Sequence, residues 1–120
     1  MNYMLLLFND ERRWQTMSED EARTSYGAYM AYSKALREAG AYVDGDPLQP
    51  TSTATTVRVE SDGKTTVLDG PYVETKEQLG GYYVIDVANL DAALDWAARC
   101  PCASHGSVEV RPIMPVPVST

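Results

Sequence analysis

The opening segment Met1-Asn2-Tyr3-Met4-Leu5-Leu6-Leu7-Phe8 is apolar at its odd positions (Tyr3, Leu5, Leu7) and at its even ones (Met4, Leu6, Phe8). A strand sends alternate side chains to opposite faces, so a strand of this composition must be covered on both sides. Asn9-Asp10-Glu11 ends it. Ser18 opens a helix, because Glu21 stands three residues on, the spacing of a capping box, and Glu19 and Asp20 suit the positive helix end. Ala22, Tyr26, Tyr29 and Leu36, with Ser33 between them, trace its apolar stripe, and Gly40 stops it. A second strand begins over residues 41–43 and is broken up by Gly45, Pro47 and Pro50. Thr53 to Ser61 and Lys64 to Leu68 flank Asp62-Gly63, which predicts a hairpin with a two-residue turn. Beyond the Asp69-Gly70-Pro71 loop, Gly80-Gly81 leads into a strand over Tyr82 to Val87. Asn89 caps a second helix with Leu90, Ala93, Leu94, Ala97 and Ala98 inward, and Cys100-Pro101 ends it. Val108 to Arg111 is the last strand, its two valines opposing Glu109 and Arg111.

The order is strand, helix, strand, hairpin, strand, helix, strand. It predicts an α+β chain, a ferredoxin-like βαββαβ fold with an inserted β-hairpin. One domain is expected over residues 1–112, followed by a C-terminal tail, 113–120, in extended form around Pro115 and Pro117. Two helices can cover only one face of such a sheet. The first strand and the strand at 82–87 are apolar on both faces, and no spare element is large enough to cover the second. A second copy of the sheet is the simplest cover, which gives a homodimer in the form of a dimeric α+β barrel.

Charge narrows the partners. Ten Lys and Arg against seventeen Asp and Glu leave a net charge of −7, and the ten are scattered along the chain. Clustered cations are what a phosphate backbone or an anionic membrane surface needs, so neither nucleic acid nor membrane is an expected partner. No apolar run reaches membrane-spanning length, about 18 residues. The apolar start lacks a basic segment before it and a small-residue cleavage site after it, so it reads as a strand rather than a signal peptide. Cys100 and Cys102 flank Pro101 too closely for an unstrained disulfide, and a cytoplasmic setting is expected.

The segment Asp69-Gly70-Pro71-Tyr72-Val73-Glu74-Thr75-Lys76-Glu77-Gln78-Leu79-Gly80-Gly81-Tyr82-Tyr83 resembles the signature of the DGPF family within the YciI-like superfamily, with Tyr72 where the family name has Phe. The opening Tyr3-Met4-Leu5-Leu6, the Thr53–Arg58 strand, Leu94-Asp95-Trp96-Ala97 and Gly106–Pro112 extend the resemblance over nearly the whole chain. It implies a subunit that pairs into a dimeric α+β barrel. Some YciI-like proteins are held to be enzymes using a His–Asp pair with the His on the first helix. No His lies between residues 18 and 40 here, and Ala28 or a neighbour stands at that position, so the pair does not carry over. Many genes of the DGPF family lie near genes for extracytoplasmic-function sigma factors, so the resemblance also implies a regulatory setting.

Candidate chemistry centres on the Asp69–Glu77 loop and the last strand. Asp69, Glu74 and the single histidine, His105, are the candidate proton-transfer groups, and Glu77 is a further carboxylate of the same loop. Tyr72, Lys76, Glu109 and Arg111 are the candidate ligand-binding groups, the last two sharing a strand face that could line a polar cavity in the barrel. Each has a plainer reading: a loop histidine, a solvated turn, an ion pair at an edge or interface. One histidine and a Cys-Pro-Cys pair do not make a zinc site, and no phosphate loop or nucleophile elbow is present, so neither metal nor cofactor is expected. Two functions are expected. One is a cofactor-independent small-molecule-binding protein, or a lyase- or isomerase-like enzyme, with its site in or near the barrel. The alternative is a non-catalytic accessory or regulatory module binding a ligand or partner protein. An enzyme requires Asp69, Glu74 or His105 to converge on one pocket.

Overall fold

The computed structural model describes residues 1–117. Its elements, in chain order, are β1 (Asn2–Asn9), α1 (Arg12–Gln15), α2 (Glu19–Glu38), β2 (Tyr42–Pro47), β3 (Thr55–Val59), β4 (Thr65–Asp69), β5 (Gln78–Asp86), α3 (Leu90–Arg99) and β6 (Ser107–Pro112). The fold is α+β with antiparallel sheets. β2, β5, β1 and β6 form a four-stranded sheet in that order, while β3 and β4 pair only with each other. β1 and β5 thus take the two central places, where strands apolar on both faces belong.

One face of the sheet is the core. Tyr3, Leu5 and Leu7 of β1 are buried with Tyr83 and Ile85 of β5, beneath Tyr32 and Leu36 of α2 and Ala93 and Ala97 of α3. The register continues this face outward, setting Val108 opposite Leu7, Val110 opposite Leu5 and Tyr42 opposite Ile85. The other face carries Met4, Leu6 and Phe8 of β1 with Tyr82 and Val84 of β5. Asp44 and Asp46 align with these on the β2 edge, and Glu109 and Arg111 on the β6 edge. Its apolar residues are only half-buried, because both helices lie on the opposite side.

Several local expectations shift. The capping box forms: Ser18 Oγ accepts from Glu21 N at 3.1 Å and the Glu21 carboxylate accepts from Ser18 N. The stripe of α2 is rotated, however, with Tyr32 and Leu36 buried and Tyr26 68% exposed. Two tertiary bonds set that rotation, Tyr32 Oη to Trp96 O at 2.6 Å and Ser33 Oγ with Tyr83 Oη at 2.9 Å. In α3 only Ala93 and Ala97 are buried, while Leu90, Leu94 and Ala98 are exposed. The small alanines let the helix lie close to the sheet, and the larger side chains are left at its rim. β2 runs through Gly45 to Pro47 instead of breaking there, which an edge strand tolerates because it needs no inward donor at the proline. The hairpin turn has three residues, not two: Gly63 N bonds Glu60 O at 2.9 Å and Gly63 has φ +84°, a turn closed by a left-handed glycine. α1 was not foreseen. Cys100 and Cys102 are free and buried. Of the expected tail, residues 118–120 lie outside the described residues.

Candidate functional site

Where β1 ends, two adjoining open clefts lie at one end of the sheet. The larger, about 510 Å³, is lined by Phe8, Asp10, Thr75, Lys76, Glu77 and Ser107. The smaller, about 230 Å³, shares Asp10, Thr75 and Lys76 and adds Glu11, Arg12 and Gln78 among its lining residues. The site therefore joins three segments distant in sequence: the turn after β1, the loop entering β5 and the start of β6.

Side chains from the turn after β1 hold these segments together. Asn9 is 4% exposed and its Oδ1 accepts from Trp14 Nε1 at 3.1 Å, which folds α1 back on the strand end. Glu11 N donates to Gln78 Oε1 at 2.9 Å, and Gln78 Nε2 donates to Thr75 O at 2.7 Å. The Thr75 hydroxyl donates to the Glu77 carbonyl. Ser107 Oγ donates to Glu77 Oε1 at 3.0 Å, which closes the β6 side. The Glu11 carboxylate accepts from Thr51 N at 2.7 Å and from Thr51 Oγ1 at 2.9 Å.

The charges sort themselves unequally. Arg12 grips Asp10 in a bidentate pair along one guanidinium edge, with Nε to Oδ1 at 3.0 Å and Nη2 to Oδ2 at 2.6 Å, and Arg12 N adds a backbone bond. The Arg12 side chain holds the Asp10 carboxyl down to about 2, so Asp10 is a fixed anion and a poor base. Arg12 is consumed in that pair. Among the described residues, no ion pair engages Lys76. The cleft thus offers an ammonium outside any ion pair and the apolar side of Phe8, while the hydroxyl protons of Thr75 and Ser107 go to Glu77. This combination suits a small molecule with an anionic or oxygen-rich edge and an apolar face.

The residues singled out from the sequence do not gather in one place. Lys76 lines both clefts and Glu77 the larger. Asp69 is exposed at the end of β4 opposite Thr55, and Gly70 beside it has φ +105°, as a turn there requires. Glu74 is exposed, and Tyr72 is 73% exposed with the Arg58 guanidinium 6.0 Å from its ring centre. His105 sits between α3 and β6 with Nδ1 buried and without a hydrogen-bond partner. Burial, then the charge of Arg13, lowers its pKa, so the ring is neutral at neutral pH. Glu109 and Arg111 form an ion pair at 3.0 Å on the open sheet face. Neither cleft is lined by Asp69, Tyr72, Glu74, His105, Glu109 or Arg111. Phe8, Asp10, Arg12, Thr75 and Ser107 belong to no motif that marks them as site residues. The one signal for them was a polar Asn9-Asp10-Glu11 run abutting a wholly apolar strand. Among the described residues, no three His, Cys, Asp or Glu side chains are grouped as metal ligands, and no helix is long and apolar enough to cross a membrane.

Comparison with known proteins adds three findings. A family model for the YCII-related domain matches residues 1–117. An uncharacterized protein of Rhizobium meliloti (strain 1021), R00369, is 44% identical over 115 residues, covering 94% of this chain and 92% of that one. Among solved structures, the chain resembles 5-chloro-2-hydroxyhydroquinone dehydrochlorinase from Burkholderia phenoliruptrix AC1100, in complex with 2,5-dihydroxybenzoquinone. The TM-score is 0.54 with 14% identity, covering 95% of this chain and 94% of that one, which is a likeness of fold.

Proposed function

The chain belongs to the YCII-related domain family, and from that premise we propose that it works as a homodimer, paired through the open sheet face, that binds a small anionic organic molecule in the cleft around Lys76. The observation that carries the binding reading is that Lys76, in no ion pair among the described residues, lines a cleft together with Phe8, Thr75 and Ser107. The half-buried row of Met4, Leu6, Phe8, Tyr82 and Val84 supports the dimer, since water-exposed apolar surface of this extent is stabilised by a matching face. The free, buried thiols suit a reducing, cytoplasmic compartment.

Ligand binding without an assigned reaction is the reading favoured by placement. Asp69, Glu74 and His105 stand apart from the cleft, so the proton-transfer set expected of an enzyme is not assembled there. Lyase- or isomerase-like chemistry at this site would have to run on Glu77, whose carboxylate is held by Ser107. The structural neighbour is a dehydrochlorinase bound to a ring bearing hydroxyl and carbonyl oxygens. That ligand has the kind of face and edge this cleft suits, and it guides the choice of probes.

The test is a thermal-shift screen with small aromatic and enolic acids, 2,5-dihydroxybenzoquinone included, since binding to the native state raises its melting point. For any acid that binds, Lys76→Met is expected to weaken affinity about 10- to 100-fold, the weight of one charged hydrogen bond. Binding that survives unchanged in Lys76→Met would remove the cleft from the function.

A further inference from the structure

The hairpin β3–β4 is attached to the domain mainly through its base. The radius of gyration is 16.8 Å, against about 14 Å for a compact chain of this length, and the chain spreads over 50 × 48 × 21 Å. β3 and β4 pair with each other and with no strand of the main sheet. Val57, Val59 and Val67 share one face of the hairpin by register and by strand period, and they are 59%, 69% and 60% exposed. A lone two-stranded hairpin is marginal in water. Gly70 N to Ala54 O at 2.7 Å and Thr56 Oγ1 to Gly70 O at 2.8 Å extend its own ladder at the root, and the Glu11–Thr51 bonds tie the segment before β3 to the turn after β1. It is an arm tied at its base, with an apolar side that its own chain leaves bare.

Area indicates what covers it. Four strands about 4.8 Å apart and about 20 Å long present an open face of roughly 400 Å², whereas a stable interface covers about 800 Å² on each partner. The sheet face alone falls short, and the apolar side of the arm is the uncovered surface available to make up the difference. Charge then orients the pair. The β2 edge of the open face carries Asp44 and Asp46, while the β6 edge carries the mutually neutralised Glu109 and Arg111. A twofold axis across the strands would stack β2 on β2, four carboxylates together. An axis along the strands stacks β2 of one copy on β6 of the other and avoids this repulsion.

With the axis along the strands, like ends of the two sheets coincide. The arm leaves its sheet at the cleft end, because Pro47 pairs with Gly81 and the loop after β4 enters β5 at Gln78. β6 starts at that same end, with Ser107 opposite Phe8. We infer that the β3–β4 arm of each copy clasps the second copy beside Ser107 and roofs the partner's Lys76 cleft, so that each binding site is completed by the other chain. This rests on the sheet-to-sheet dimer proposed above.

Two measurements test it. The first is the dimer affinity of Val57→Thr/Val59→Thr/Val67→Thr, which keeps the shape and strand preference of each side chain while making the face polar. Its dissociation constant by sedimentation should rise at least tenfold. The second mixes two single variants, Val67→Cys and Ser107→Cys, so that a crosslink can form only between chains; Cys100 and Cys102 are buried and do not compete. Mild oxidation of the mixture, with a short bis-maleimide as a second reagent, should join Val67→Cys to Ser107→Cys chains. An unchanged dissociation constant in the triple variant, or no mixed crosslink by either reagent while sedimentation shows an intact dimer, overturns the arm and leaves the dimer standing. A wild-type chain that sediments as a monomer overturns the dimer itself.

Discussion

Leu5 and Leu6 are adjacent in β1 and point to opposite faces of the sheet, so the same strand separates folding from the proposed association. Leu5 is fully buried against the helices. Leu6 lies on the open face, aligned with Tyr82 on one side and Glu109 on the other. Leu5→Ala removes core atoms and leaves a partly filled cavity, a loss of about 3 kcal/mol of folding stability. At this chain length it lowers the melting temperature by roughly 10 °C and leaves the open face intact. Leu6→Asp does the reverse. In the lone chain the new carboxylate is solvated, whereas in the proposed dimer it is enclosed, and twofold symmetry encloses it twice. At about 3 kcal/mol for each uncompensated ion the cost is about 6 kcal/mol per dimer, roughly four decades in dissociation constant. The assay is sedimentation velocity over a concentration series, with melting curves on the same samples. Leu6→Asp should sediment as a folded monomer, with a melting temperature independent of concentration. A Leu6→Asp protein that dimerises like the wild type would refute the assignment of the open face as the interface.

Other consequences follow from single sites. Cys100 is 2% exposed and burial pushes its thiol up to about 11 from 9.0. The native state therefore keeps the proton that the unfolded chain releases, so this contribution is complete below pH 9 and drains by about 3 kcal/mol as pH rises to about 11; urea titrations at pH 8, 9.5 and 11 check it, and both thiols should react with a thiol reagent at pH 8 only after denaturation. His105 is shifted the other way by burial, which makes its neutral form the native one: stability is complete above pH 6.5 and falls on acidification, and His105→Gln should flatten that part of the stability curve. Gly106 has no room for a side chain, since a Cβ there would overlap Phe8 O; Gly106→Ala must displace backbone where β6 meets β1 and should cost about 3 kcal/mol or more in a urea titration. Ser18→Ala removes the helix cap and should cost about 1 kcal/mol, read the same way.

Local chemistry made most of the elements legible. The period-two run of β1, the Ser18–Glu21 box, the Asn89 cap and the turn residues around Gly63 and Gly70 each act over a few residues, and each appears where the sequence put it or within a few residues. The two-faced composition of β1 even marked it as a central strand. Rotation of α2 was not legible, because Tyr26 and Tyr32 are equally apolar and only the partners waiting at Trp96 and Tyr83 decide which of them turns inward. The choice of Ala93 and Ala97 over Leu90 and Leu94 as the buried side of α3 likewise depends on how closely helix and sheet approach. The candidate cleft lay further still from anything local. Phe8, Lys76 and Ser107 are separated by most of the chain, and none has a neighbour in sequence that signals the other two. They meet because antiparallel pairing brings the end of β1 beside the starts of β5 and β6, and because Glu11, Gln78 and Glu77 fasten those ends together. Sequence sets the preference of each segment, since backbone and side-chain propensities act at short range; which side chains share a cleft is fixed by register and packing, which act only once the segments have met.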